Sequence, residues 1–263
     1  MGAEIRSIGT THFLLLNYFN IFSNLFQILV WLKEKSVRIR GFDSLCHRGK
    51  HPQARVGSFC YNNNMKKWIA LAVCVVVIWL IWPKRVPVKN AGRPVHKIVA
   101  FGDSLTAGYG AGGIQNSYPS LLAQLSGKTV INLGLSGDTA FNAPTRLPQV
   151  LAEQPDMVLI EFGGNDRIRG LGAESAANAV VQIVDAVQAV GAIAVVVDTG
   201  GPQMDAYTKA YKQIAKEKKA VFVPGIMRGI FNKRELKSDL IHPNAAGYQI
   251  VAERIYKEIK PYL

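Results

Sequence analysis

Residues 97–110 read KIVAFGDSLTAGYG, and the fold turns on how the apolar run at their start is read. Residues 97–101 are short, mostly apolar, and stopped abruptly by Gly102-Asp103-Ser104. Gly-Asp-Ser is also common turn chemistry. Taken alone, the stretch leaves Ser104 open between a turn serine and a nucleophile lifted to the end of a strand. Similar β-rich runs recur at 129–132, 157–162, 192–197 and 220–223. Between them the apolar residues take helical spacing. Val180, Val181, Val184 and Val187 mark a helix over 174–190, and Tyr207, Ala210, Tyr211 and Ile214 mark one over 205–219. Tyr248, Val251, Ala252, Ile255 and Ile259 mark a last helix over 244–259. Nearly continuous apolar strands alternating with amphipathic helices predict an α/β fold, a five-stranded, mainly parallel sheet covered on both faces.

The net charge of +13 over 263 residues first suggests a nucleic-acid partner, but its distribution does not. From residue 98 onward, 16 basic residues meet 15 acidic ones. Residues 65–97 carry seven basic residues and no acid, and residues 1–64 carry eight basic and three acidic. The excess therefore flanks apolar segments near the N-terminus, where membrane topology explains it better than DNA does. No nucleic-acid partner is expected. Cys46, Cys60 and Cys74 form no metal-ligand spacing, so no metal and no other cofactor is implied.

Residues 68–82, WIALAVCVVVIWLIW, run for fifteen apolar positions between Lys66-Lys67 and Pro83-Lys84-Arg85. As a helix this run spans ~22 Å, short for a bilayer core of ~30 Å, although flanking lysines reach outward. Tryptophans at both ends suit two interfaces. No small-residue cleavage site follows, which favours a membrane anchor over residues 65–83 above a cleaved signal. Residues 13–32 form an apolar segment whose Asn17, Asn20, Asn24 and Gln27 share one helical face. Residues 1–64 read as a poorly structured basic extension, and Met65 would make a natural start. Residues 84–94 read as a proline-containing tether, and 95–263 as the globular domain. The habit of N-terminal anchors places that domain on the outer, periplasmic side of a bacterial-type inner membrane.

In a parallel sheet, sites form at the carboxyl ends of the strands. Four polar clusters meet there: Gly102-Asp103-Ser104, Asn132 to Asp138, Gly163-Gly164-Asn165-Asp166, and Asp239 to Asn244. A serine hydroxyl needs a base, usually histidine, and a carboxylate to orient that histidine. Asp239 and His242 stand three apart on one loop, and Pro243 is expected in the first turn of the following helix. The Ser104 N–H, the Gly137 N–H and the Asn165 amide are candidate donors to an oxyanion. Asp103, Asp138 and Asp166 read as braces of their loops.

These blocks resemble the SGNH, or GDSL, hydrolase family: FGDSLTAGYG, LGLSGDTA, FGGNDRIRG and DLIHPNAAGY stand in the family's order across 97–250. The likeness is nearest to the bacterial lysophospholipase, thioesterase and arylesterase branch. It implies a three-layer α/β/α sandwich, flavodoxin-like in plan. It implies Ser104 as nucleophile, Asp239 and His242 as its partners, and an oxyanion hole of Ser104, Gly137 and Asn165. Arg167 departs from the branch, which often has glycine there. Arg167 and the loop containing Gly200 are candidate substrate contacts, and two solvated arginines at 167 and 169 are an equally simple reading. The expected activity is hydrolysis of a small acyl ester (lysophospholipid, thioester or aryl ester) through an acyl-enzyme. An acyltransferase using the same triad, or a non-catalytic envelope binding module, stands as the alternative. The oligomeric state is not legible.

Overall fold

The computed structural model describes residues 71–77 and 87–263. The chain divides into two units, Met1–Ile81 and Trp82–Leu263. In the first, residues 71–77 are helical. The expectations for residues 1–64, and for most of 65–86, lie outside the described residues. Among the described residues no helix is long and apolar enough to cross a membrane.

The second unit is one sheet between two helical layers. In chain order its main elements are β1 (Lys97–Gly102), α1 (Ser104–Ala107), α2 (Tyr118–Ser126), β2 (Thr129–Gly134), α3 (Leu147–Ala152), β3 (Met157–Glu161), α4 (Gly164–Ile168), α5 (Ala173–Ala189), β4 (Ile193–Val197), α6 (Asp205–Glu217), β5 (Val221–Val223) and α7 (Ala245–Ile259). The strands lie in the order β2-β1-β3-β4-β5, and all four pairings are parallel. Ile98 pairs with Met157 and Ala100 with Leu159, so alternate residues of neighbouring strands share a face.

That alternation builds two cores. Ile98, Ala100, Met157, Leu159 and Val195 face Tyr118 and Leu122 of α2 and Tyr248, Val251 and Ile255 of α7. Val99, Phe101, Val158, Ile160 and Val196 face Val180, Ile183 and Val187 of α5 and Tyr211 and Ile214 of α6. Each fully buried aliphatic or aromatic side chain adds about 1.5–3 kcal/mol, which makes the two faces the main source of stability. β1, β3 and β4 are buried along nearly their whole length, as their unbroken apolar sequences require.

The expected strands and the three long helices appear within a few residues of their sequence bounds. Strand β3 stops at Glu161, not at residue 162; Phe162 instead packs edge-on against Phe101, ring centroids 5.0 Å apart. Pro243 does not open the last helix. Asn244 caps it, its side chain accepting from the Gly247 N–H at 3.1 Å, and Pro243 pairs in an isolated bridge with Lys237. Part of the expected tether is held against the domain: Val88 packs on the core, and the Asn90 amide donates to the carbonyls of Gln188 and Ala192.

The sheet reverses its strand order between β1 and β3. Ligand crevices of open α/β sheets form at such a switch point. Loops after β1 and β3 carry Ser104 and Asn165.

Candidate active site

Ser104 is the first residue of α1, set directly after β1. Asp103 caps that short helix, its Oδ1 accepting from the Leu105 N–H at 3.0 Å. As the first helical residue, Ser104 keeps a backbone N–H that the helix itself cannot satisfy. Gly102 makes the turn possible: a Cβ there would overlap the Thr106 side chain and the Glu161 carbonyl.

The loop before α7 supplies the second part. His242 Nε2 lies 3.0 Å from Ser104 Oγ. Its Nδ1 lies 2.7 Å from Asp239 Oδ2. Asp239 Oδ1 accepts from the backbone N–H groups of Ile241 and His242, both at 2.8 Å. Slight burial pushes the Asp239 carboxyl up, but the His242 N–H, the imidazole and the Ile241 N–H together outweigh it and hold the group at about 2. A carboxylate fixed in this way keeps the imidazole ring oriented. The Tyr109 ring rests against the imidazole, centroids 4.5 Å apart.

Asn165 stands at the start of α4, beside Ser104 on the cavity wall. Its Nδ2 donates to the Asp138 carbonyl at 2.8 Å and to Asp103 Oδ2 at 3.2 Å. Gly137 adopts a left-handed φ of 81° that other residues resist, and its carbonyl accepts from Arg169 Nη2 at 2.7 Å. Gly137 is tied to Asn165 through its neighbour Asp138, but it is not part of the cavity wall.

A cavity of about 280 Å³ opens beside the serine, lined by Ser104, Asn165, His242, Arg167, Gly200 and the apolar Ile168, Pro202, Met204, Phe231, Leu240 and Ile241. Arg167 donates across it to Gln203 Oε1, so that residue bridges the loops after β3 and β4. The structure thus brings Ser104, His242, Asp239 and Asn165 to one point, with Arg167 and Gly200 on the cavity wall.

A buried polar layer lies beneath. Glu161, at the end of β3, accepts from Thr106 Oγ1 at 3.0 Å and Thr199 Oγ1 at 3.2 Å. Burial and the facing carboxylate push the Asp103 carboxyl well up, and burial pushes Glu161 up as well. Asp138 is paired with Arg146, whose guanidinium also donates to the carbonyls of Leu133 and Gly102 and lies over the Phe101 ring. Asp166 accepts from the Ala140 and Phe141 N–H groups at 2.8 and 3.2 Å. Asp103, Asp138 and Asp166 are therefore braces. Glu161 and Arg146 were missed from sequence. The one signal for Glu161 is a lone acid closing an otherwise apolar strand.

The profile of the GDSL-like Lipase/Acylhydrolase family matches residues 100–250. The chain belongs to this family. It is 31% identical over 186 residues to the arylesterase of Vibrio mimicus, covering 66% of this chain and 92% of that protein. It is 32% identical over 174 residues to thioesterase 1/protease 1/lysophospholipase L1 of Escherichia coli K12, covering 62% of this chain and 83% of that protein. The crystal structure of TesA superposes with a TM-score of 0.60 at 28% identity, covering 64% of this chain and all of that one. By family the chain is a carboxylic-ester hydrolase.

Proposed function

We propose that the protein is a serine esterase that hydrolyses acyl esters or thioesters of the lysophospholipid, acyl-thioester or aryl-ester type through an acyl-enzyme. The observation that carries this reading is the continuous line from Asp239 Oδ2 through His242 to Ser104 Oγ, at 2.7 and 3.0 Å. His242 Nε2 takes the Oγ proton as Oγ attacks the ester carbonyl carbon. The carbonyl oxygen becomes an oxyanion, held by the Ser104 N–H and the Asn165 amide on the cavity wall, with the Gly137 N–H as the third donor that the family likeness implies. The imidazolium returns the proton to the departing alcohol or thiol, leaving the acyl group on Oγ. Water, deprotonated by the same nitrogen, then releases the acid and restores Ser104.

Asn165 enters this cycle by loosening the longer of its two bonds, to Asp103. The apolar cavity wall accepts the acyl chain, and Arg167 and Gly200 face the part of the substrate that leaves.

A panel of esters and thioesters, from acetyl to long-chain, tests the reading on the full chain. Free acid is expected from wild type and none above background from Ser104→Ala; equal turnover by the two proteins contradicts it.

The membrane segment belongs to the same proposal: residues 65–83 anchor the chain, with the hydrolase domain on the outer side of a bacterial-type inner membrane. Its support is the unbroken apolar run with tryptophans at both ends and basic flanks. On alkaline extraction the full chain is expected to stay with the membrane; release into the supernatant contradicts anchoring.

A further inference from the structure

With one exception, every large apolar side chain that stands exposed in residues 87–263 lies at the carboxyl-terminal edge of the sheet, on a loop or in a short helical turn. Ile114 follows β1, Leu135 and Phe141 follow β2, Ile168 and Leu171 follow β3, and Leu240 precedes α7. Leu240 is 86% exposed and Phe141 61%. The exception, Val190, ends α5 at the opposite edge. Scattered exposed apolar residues are ordinary on a protein surface, but their segregation to one face marks an interaction site.

The charges on this face match one kind of partner. Arg167 and Arg169 alternate with Ile168 and Leu171, and Lys233, Arg234 and Lys237 lead into Leu240. Against these five cations, the same two loops expose only the acids Glu235 and Asp239, and Asp239 is engaged by His242. Two more acids on this edge, Glu174 and Asp205, sit in the first turns of α5 and α6, where the helix N-termini offset them. Protruding apolar tips set among cations suit an anionic lipid surface, which accepts the first in its acyl boundary and attracts the second. A second copy of the chain fits less well, because Ile168 and Leu240 form the lip of the cavity and a protein seated there would close it.

We propose that the face around the cavity mouth docks on anionic phospholipid bilayers, with the tips of the β2 and β3 loops in the lipid and Ser104 at the centre of the contact. The productive use of that contact rests on the ester-hydrolase reading; the contact itself does not.

The test uses the full chain with Cys46, Cys60 and Cys74 replaced by serine and Ser104→Ala included, so that no lipid is consumed. Phe141→Cys, Leu171→Cys and Val190→Cys are added singly and labelled with an environment-sensitive fluorophore. The first two positions lie outside the cavity wall. On addition of phosphatidylcholine–phosphatidylglycerol vesicles, the labels at 141 and 171 are expected to shift to the blue and be quenched by brominated lipid. The label at 190 is expected to stay in water. Pure phosphatidylcholine or high salt should weaken the response several-fold. No shift at 141 and 171, or an equal shift at 190, overturns the proposal. So does a concentration-dependent shift without vesicles, which assigns the face to a second copy. Hydrolysis of a water-soluble ester by wild type, measured separately, reports on the ester-hydrolase reading alone.

Discussion

The two sides of the active site are built in opposite ways. The Asp239–His242 arm is a self-contained loop: its carboxylate is bonded only two and three residues along the chain. Asp239 is also substantially exposed. The side beneath Ser104, built on Asp103, Glu161 and Asn165, is assembled from distant segments. Asp103 meets Asn165 across 62 positions, and Glu161 meets Thr106 across 55 and Thr199 across 38. Nearly all of that side is buried. Chemistry can therefore be removed from the arm at little cost to the fold, whereas the buried side joins chemistry to stability.

Ser104→Ala is expected to have the largest effect and to leave the fold alone. It should lower kcat by about 10⁴-fold or more, with an unchanged thermal midpoint, read from ester hydrolysis and a melting curve. A large fall in stability would mean that the serine belongs to the structural side. Asp239→Asn should also lower kcat by roughly 10⁴-fold, again with little change in melting. Asn165→Ala sharpens the contrast. It should lower kcat by about 10²–10³-fold and stability by about 1 kcal/mol for each bond it loses. An effect on KM alone would separate Asn165 from the oxyanion.

Glu161 breaks the comparison from the other end. Glu161→Ala leaves the hydroxyls of Thr106 and Thr199 without their acceptor in a sealed layer, and should cost about 2–4 kcal/mol in denaturant unfolding. Glu161→Gln keeps an acceptor and removes a titrating group. Asp103 and Glu161 both have raised carboxyl values in the folded protein. Their contribution is fully present below the unfolded carboxyl range and is lost as pH rises through the folded values. Stability of wild type should therefore decline as pH rises above the unfolded carboxyl range, and Glu161→Gln should flatten that decline. Asp239 runs the other way. Its folded value of about 2 lies below the usual 3.8, so its contribution is present above 3.8 and is lost as pH falls through about 2. Asp239→Asn should remove that acid-side loss and leave the decline due to Asp103 and Glu161 untouched.

The exposed arm was readable in the sequence because its residues are neighbours in the chain: Asp239 and His242 announce each other. The sheet was readable because each strand is an unbroken apolar run. Ser104 became readable only beside three other strand-end clusters. The buried layer was not readable in the same way. Glu161 gains its meaning from Thr106 and Thr199, which reach it through the pairing of β1, β3 and β4, and no local spacing encodes that meeting. Arg146 likewise reaches Asp138 and the β1 carbonyl of Gly102 from an unremarkable turn. The expected place of Pro243 failed for a local reason: Asn244 offers a side-chain oxygen to the first helical N–H groups, and proline does not.

The central claim is that Ser104, and no other residue, carries the acyl group. Full-length protein treated with a fluorophosphonate, digested and read by mass spectrometry tests it most directly. One equivalent of phosphonate is expected on the peptide containing Ser104, lost in Ser104→Ala and greatly slowed in His242→Ala. Labelling of another residue, or undiminished labelling of Ser104→Ala, would contradict it.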